Sequence, residues 1–194
     1  TVSAPTWVQG TNGSNSATDN KVINTTTYTH TLTGAALSGD MRLVKQGSGK
    51  LILNNETHTY TGNTNVWEGT LQTDATLSAS PLWLNRHTSL VSGGSFNSIT
   101  AEYNATISVG TSSAEPATLT ASNVTLNFGS RLALQLFSNG KADCLSAKSI
   151  NAVVNTASIK DELTYSKPII DISTTLLSDS ETLWDITDAE TLKA

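Results

Sequence analysis

The sequence has a single cysteine, Cys144, among 194 residues, so no internal disulfide can hold the chain together. Small secreted scaffolds usually carry several cysteines; this chain must rely on stacked strands and apolar burial. Cys144 is expected to be a small, partly buried apolar residue, as free cysteines commonly are. A catalytic thiolate would need an activating base that the sequence does not place beside it. Charge is also scarce. Charged residues make up 14% of the chain, and eleven Lys and Arg set singly against sixteen acids give a net charge of −5 and no basic patch. That excludes a nucleic-acid binder. Long apolar runs are missing, the stretch from Lys167 to Ser173 being typical, so no transmembrane helix and no membrane insertion are expected. Three Phe, four Tyr and four Trp fall short of the aromatic girdles of a membrane barrel. The start shows no initiator Met, basic n-region or apolar h-region. A signal peptide is therefore expected to have been removed or to lie upstream, in a longer protein.

What the chain does have is uncharged polarity. More than a third of its residues are Thr, Ser or Asn; Thr favours strands, and Asn and Ser suit turns and side-chain ladders. The organising stretch runs from Leu43 to Gln72. Leu43, Lys45, Gly47, Gly49, Leu51 and Leu53 follow one another at alternate positions; Tyr60, Gly62, Thr64 and Val66 repeat that spacing, and Gly69 and Leu71 close the stretch. Period-two apolar residues put one face of each short strand into a core, and the glycines between them mark reversals or close chain approach. No helix fits between glycines set so closely.

These residues closely resemble the autotransporter-associated β-strand repeat, also called the passenger-associated transport repeat, of large secreted or surface-displayed proteins of Gram-negative bacteria. The resemblance covers about thirty residues and implies an all-β, right-handed parallel β-helix. It also implies export across the outer membrane through a barrel outside this chain, and a role as stalk, adhesin or folding aid.

The rest of the chain suits such a solenoid with irregular caps at both ends. Residues 1–40 read as an N-terminal capping region, 41–160 as β-helix rungs, and 161–194 as a last rung and cap, all in one continuous domain. Trp7-Val8 can begin a strand, Gly10 to Asn20 reads as a loop, and Tyr28 to Gly34 echoes Thr57 to Gly62. Ala-Thr-aliphatic recurs at Ala75, Ala105 and Ala117. Val124, Leu126 and Phe128, then Leu132, Leu134 and Leu136 after Gly129-Ser130, give the clearest alternation, with Thr125, Asn127 and Gln135 on the polar face. One such coil cannot hide its apolar face alone, so neighbours must stack. Leu51, Leu53, Val66, Leu71, Leu126, Leu132 and Leu134 are the expected core. Lys141 to Ala147 carries an Asp-x-Leu segment similar to those in passengers; Pro168 to Ile172 reads as a strand, and Ser180 to Lys193 as a short helix or final strand.

No cofactor, metal or catalytic group is expected. A polysaccharide-cleaving β-helix would need clustered carboxylates, and Asp161-Glu162, Asp171, Asp185 and Asp188 form no Asp-x-Asp motif. His30, His58 and His87, about one repeat apart, are expected to be exposed strand or loop residues rather than a metal ladder. An Asp-Ser-Gly nucleophile and a Walker A loop are both missing. Trp7, Trp67, Trp83 and Trp184 are expected mainly in core, cap or rung-edge packing. Trp67 is the exception: if Val66 points inward, Trp67 points out and is a candidate contact residue. Three functions remain: a non-catalytic adhesin, aggregation stalk or display scaffold; a carbohydrate-binding module; and a glycan-degrading enzyme. Expected partners are the chain itself, or a host-cell surface protein or glycan. A uniformly polar wall, an aromatic groove or an acidic cluster would favour the first, second or third.

Overall fold

The computed structural model describes residues 7–9, 20–53, 56–137, 140–152 and 170–174. Strands there form two sheets, and the chain alternates between them. The first contains β1 (Trp7–Gln9), β2 (Asn20–Asn24), β4 (Arg42–Gln46), β6 (Thr64–Val66), β9 (Leu82–Leu84), β11 (Ser95–Ala101), β13 (Thr118–Leu126) and β15 (Cys144–Ala152) in that order, with β8 (Thr76–Leu77) also pairing with β11. The second runs through β3 (Thr29–Leu32), β5 (Lys50–Leu53), β7 (Thr70–Gln72), β10 (Ser89–Ser92), β12 (Thr106–Val109), β14 (Arg131–Leu136) and β16 (Ile170–Thr174). Every ladder is parallel except β1 with β2, where the chain enters antiparallel. This is a parallel β-solenoid, and no helix occurs among the described residues.

Register explains why coils of unequal length stack. His30, Leu51, Leu71, Leu90, Ile107 and Leu132 stand directly above one another in the second sheet. Across the core, Ile23, Lys45, Val66, Leu84, Ala101 and Leu126 form a matching column in the first. Each buried Leu or Ile contributes about 1.5–3 kcal/mol by leaving water. A slip of one residue would turn a whole strand inside out, so the columns fix register. Leu53 is 1% exposed. Truncating it to alanine should cost about 3 kcal/mol in urea unfolding, from lost transfer energy plus a cavity; a change below about 0.5 kcal/mol would put it on the surface.

Several sequence expectations need correction. Leu134 is only partly buried: it packs against the core, but its ladder with β12 ends at Ala133. Cys144 is exposed rather than partly buried. In β15 it is Leu145 and Ala147 that pack on the core, and this parity turns Cys144 outward beside the exposed Thr118. His30 and His58 are buried, because His30 takes an inward position opposite Leu51 and His58 Nδ1 accepts the Leu37 N–H at 2.9 Å. His87 is exposed, in a turn at φ 60°, edge-on to Tyr103 with ring centroids 5.7 Å apart. Three such different settings make no ladder. The echo between Tyr28–Gly34 and Thr57–Gly62 is not structural either, since His30 stacks on Leu51 while the His58 N–H donates to Thr76 O.

Trp7-Val8 does begin a strand, and Ile170 to Ile172 lie in β16. The Ala-Thr-aliphatic motifs open β8, β12 and β13. Asn20, the last residue of the loop expected over 10–20, opens β2 instead, while 10–19, Pro168, Ile169, the element expected over 180–193, Trp184, Asp161, Glu162, Asp185 and Asp188 lie outside the described residues.

Candidate functional site

Two clusters use the repeat stretch, one inside the solenoid and one on its wall. Inside, Lys45 occupies the apolar column between Ile23 and Val66 and is fully buried. Its ammonium donates to Thr25 Oγ1 at 2.9 Å, Glu68 O at 2.8 Å, Gln46 O at 3.3 Å and Gly47 O. Those oxygens belong to corners of three successive coils, so one cation ties three turns. Burial lowers the Lys45 pKa from 10.5 to about 8, against the charge of Glu68, which raises it; at neutral pH the ammonium stays protonated.

The glycines make room for this cation. Gly69 sits at φ +69° with Lys45 Nζ 2.7 Å from where a Cβ would stand, and a Cβ on Gly49 would collide with the Tyr28 backbone. Gly49 N–H donates to Thr26 O at 2.7 Å, drawing adjacent corners together. At the next corner Tyr60, fully buried, donates to Thr64 Oγ1 at 2.5 Å, Thr64 to Ser80 Oγ at 2.8 Å, and Ser80 to Gly62 O at 2.7 Å. Burial pushes the Tyr60 phenol up to about 12, with the Thr64 and Ser80 bonds pulling the other way. Leu43, Leu51, Leu53, Val66 and Leu71 are buried beside them. The motif residues are thus turned toward one another, and their polar groups are occupied by neighbouring coils.

Two buried or half-buried carboxylates also serve as clips. Asp143 accepts the N–H groups of Ala117 at 2.9 Å and Gln135 at 3.0 Å, and Asp74 accepts Gly93 N–H at 2.6 Å and Thr111 Oγ1–H at 2.5 Å. Asp171 stands opposite Ala133 in β16. Among the described residues no three His, Cys, Asp or Glu side chains converge on a point.

On the outside, the first sheet carries an aromatic groove. With Leu43, Thr64, Val66, Leu82 and Leu84 buried, strand alternation turns Arg42, Asn65, Trp67 and Trp83 outward. Trp67 is 49% exposed and Trp83 47%. Together with Asn63 and Asn85 they line a shallow groove of about 310 Å³. The outward position of Trp67 follows from Val66 as the sequence suggested, whereas Trp83 is a wall residue and not the packing residue expected. The same parity rule, applied to Leu82-Trp83-Leu84, would have found it. Arg42 and the three asparagines carried no comparable signal.

The class defined by this geometry is a parallel β-solenoid of stacked coils, in which the contacts of Lys45, Gly69 and Tyr60 join successive coils. Residues 43–73 match the passenger-associated-transport-repeat family, over the stretch that the lysine, glycine and tyrosine contacts bind together. No curated protein and no solved structure matches the chain.

Proposed function

We propose that this chain is a segment of a secreted or surface-displayed passenger of a Gram-negative bacterium, exported through an outer-membrane barrel outside this sequence. It acts there without catalysis, as a stalk that carries an adhesion or aggregation surface. The observation that carries the reading is the passenger-repeat match at residues 43–73, set on side chains that hold coils to one another. One wall carries an aromatic groove, which favours glycan-directed adhesion, and the polar positions Thr125, Asn127 and Gln135 elsewhere on the solenoid are partly exposed and add many weak, water-bridged contacts. Many copies on a cell add these as multivalent binding does. A net charge of −5 opposes close approach only weakly at physiological salt.

Cells displaying the parent protein should clump or bind host cells or glycans, and the purified chain should sediment as a monomer or weak dimer. It should turn over neither acidic nor neutral polysaccharides, with or without Ca²⁺. If cells carrying intact surface protein neither clump nor bind, adhesion is wrong and a passive spacer or folding aid is the better account. Polysaccharide turnover lost in Asp143→Asn would overturn the non-catalytic reading.

A further inference from the structure

We propose that the outer groove over β6 and β9 is a binding site for an acidic oligosaccharide, with Trp67 and Trp83 as stacking platforms and the Arg42 guanidinium as the partner of a sugar carboxylate. The groove is built by register. Asn65 stands opposite Trp83, and Trp67 lies two residues along the neighbouring rung, so the indoles are diagonal neighbours. With strands about 4.8 Å apart and about 3.3 Å per residue along each, their backbones are roughly 8 Å apart, a separation that one disaccharide can bridge. Half-exposed tryptophans on a flat strand wall offer broad apolar faces to the C–H faces of pyranose rings. Asn63, Asn65 and Asn85 surround them, and each amide presents both donors and an acceptor, as vicinal hydroxyls require.

Arg42 sets the charge of the ligand. Among the described residues it is the one charged side chain lining the groove, and its Nε is buried and makes no hydrogen bond, so a ligand meets its terminal nitrogens. The two terminal nitrogens of a guanidinium offer an end-on planar fork that a carboxylate fills in two-point fashion. A neutral sugar would leave that fork empty; a uronic or sialic acid would satisfy it. Among the described residues no aliphatic side chain lines the groove. A second copy of the chain, whose interface core would be expected to bring aliphatic and aromatic packing, is therefore the poorer fit. The proposal rests on the surface-exposed passenger reading only in supposing that such glycans are what the chain meets.

The test uses the purified full chain, so its outcome is independent of whether displayed cells clump. Calorimetric titration would compare trigalacturonate and 3′-sialyllactose with trigalacturonate methyl ester, cellotriose and hexaglutamate. At least one of the two acidic sugars should bind saturably, better than the ester, cellotriose and the peptide. Trp67→Ala and Trp83→Ala should each weaken binding about tenfold or more, as truncation of central Trp anchors does. Arg42→Gln should abolish the preference for acid over ester, and Arg42→Lys should restore part of it. Indole N–H shifts of the unsubstituted protein on adding the sugar read the same contact without any variant. No saturable binding of either acidic sugar overturns the proposal, as does binding that survives both Trp substitutions or is matched by hexaglutamate. A dimer lost in Trp67→Ala, with no sugar bound, would assign the groove to a second copy instead.

Discussion

Replacing Gly69 by alanine is expected to destabilise the chain by about 4 kcal/mol or more, enough to bring many domains close to unfolding. Gly69 has φ +69°, where an L side chain costs roughly 1–2 kcal/mol by itself. The added Cβ would also press on the carbonyl oxygens of Gly49 and Gly47 and stand 2.7 Å from Lys45 Nζ. The backbone cannot simply retreat, because Gly49 O accepts Thr70 N–H at 3.2 Å and Gly69 O accepts Ser89 N–H at 3.0 Å. Relief on one side breaks a bond on the other. Urea unfolding followed by circular dichroism measures this, and a loss below about 1 kcal/mol would mean that the corner is not packed as described.

Lys45→Met should cost about 1–3 kcal/mol, although it puts an apolar side chain into an apolar column. Two effects compete. Keeping the buried ammonium charged is unfavourable, as its pKa, lowered to about 8 by burial, shows. Against this stand bonds from a charged donor to Thr25 Oγ1, Gly47 O and Glu68 O, whose loss takes the ammonium from Glu68 O and leaves Thr25 Oγ1 and Gly47 O only the bonds that the threonine hydroxyl makes to Gln46 O and Gly47 O. The bonds win.

The same depression fixes the pH dependence. From about pH 8 to 10.5 the unfolded chain still holds a proton that folded Lys45 has released, so rising pH favours the folded state through this group. Below pH 8 its contribution is flat. The stability gap between the parent protein and Lys45→Met should therefore widen as pH climbs through that window. Tyr60, raised to about 12, works in the opposite sense above pH 10, but it is common to both proteins and cancels. A gap that narrows from pH 8 to 10 would contradict the buried, desolvated ammonium.

Much of this architecture is legible in the sequence because strand parity is a local property. Leu51, Leu53, Val66 and Leu71 declare their faces within a few residues of one another, and all are buried. What parity cannot supply is the identity of the neighbour one coil away. Lys45 sits at an inward position, yet a lysine reads as solvated until Thr25 and Glu68 are seen above and below it, 20 and 23 residues distant in sequence. His58 hides for the same reason, its partner Leu37 lying 21 residues back. The groove was half legible: Val66 pointed Trp67 outward, but only inter-coil register brings Trp83, Arg42 and the asparagines beside it. Cys144 shows the converse, since a residue type usually buried is turned out by the parity of Leu145.

The central claim is that the passenger-repeat motif is a device for locking coils, with Lys45 as its bolt. Amide hydrogen exchange, residue by residue, on the parent protein and on Lys45→Met tests it most directly. Protection should fall together at Thr25, Gly49, Trp67 and Thr70, whose N–H groups bond between adjacent corners, while the distant Thr120 and Asn127 keep theirs under conditions where both proteins stay folded. Unchanged protection at those four corner amides would show that Lys45 joins nothing, and that the coils stack without it.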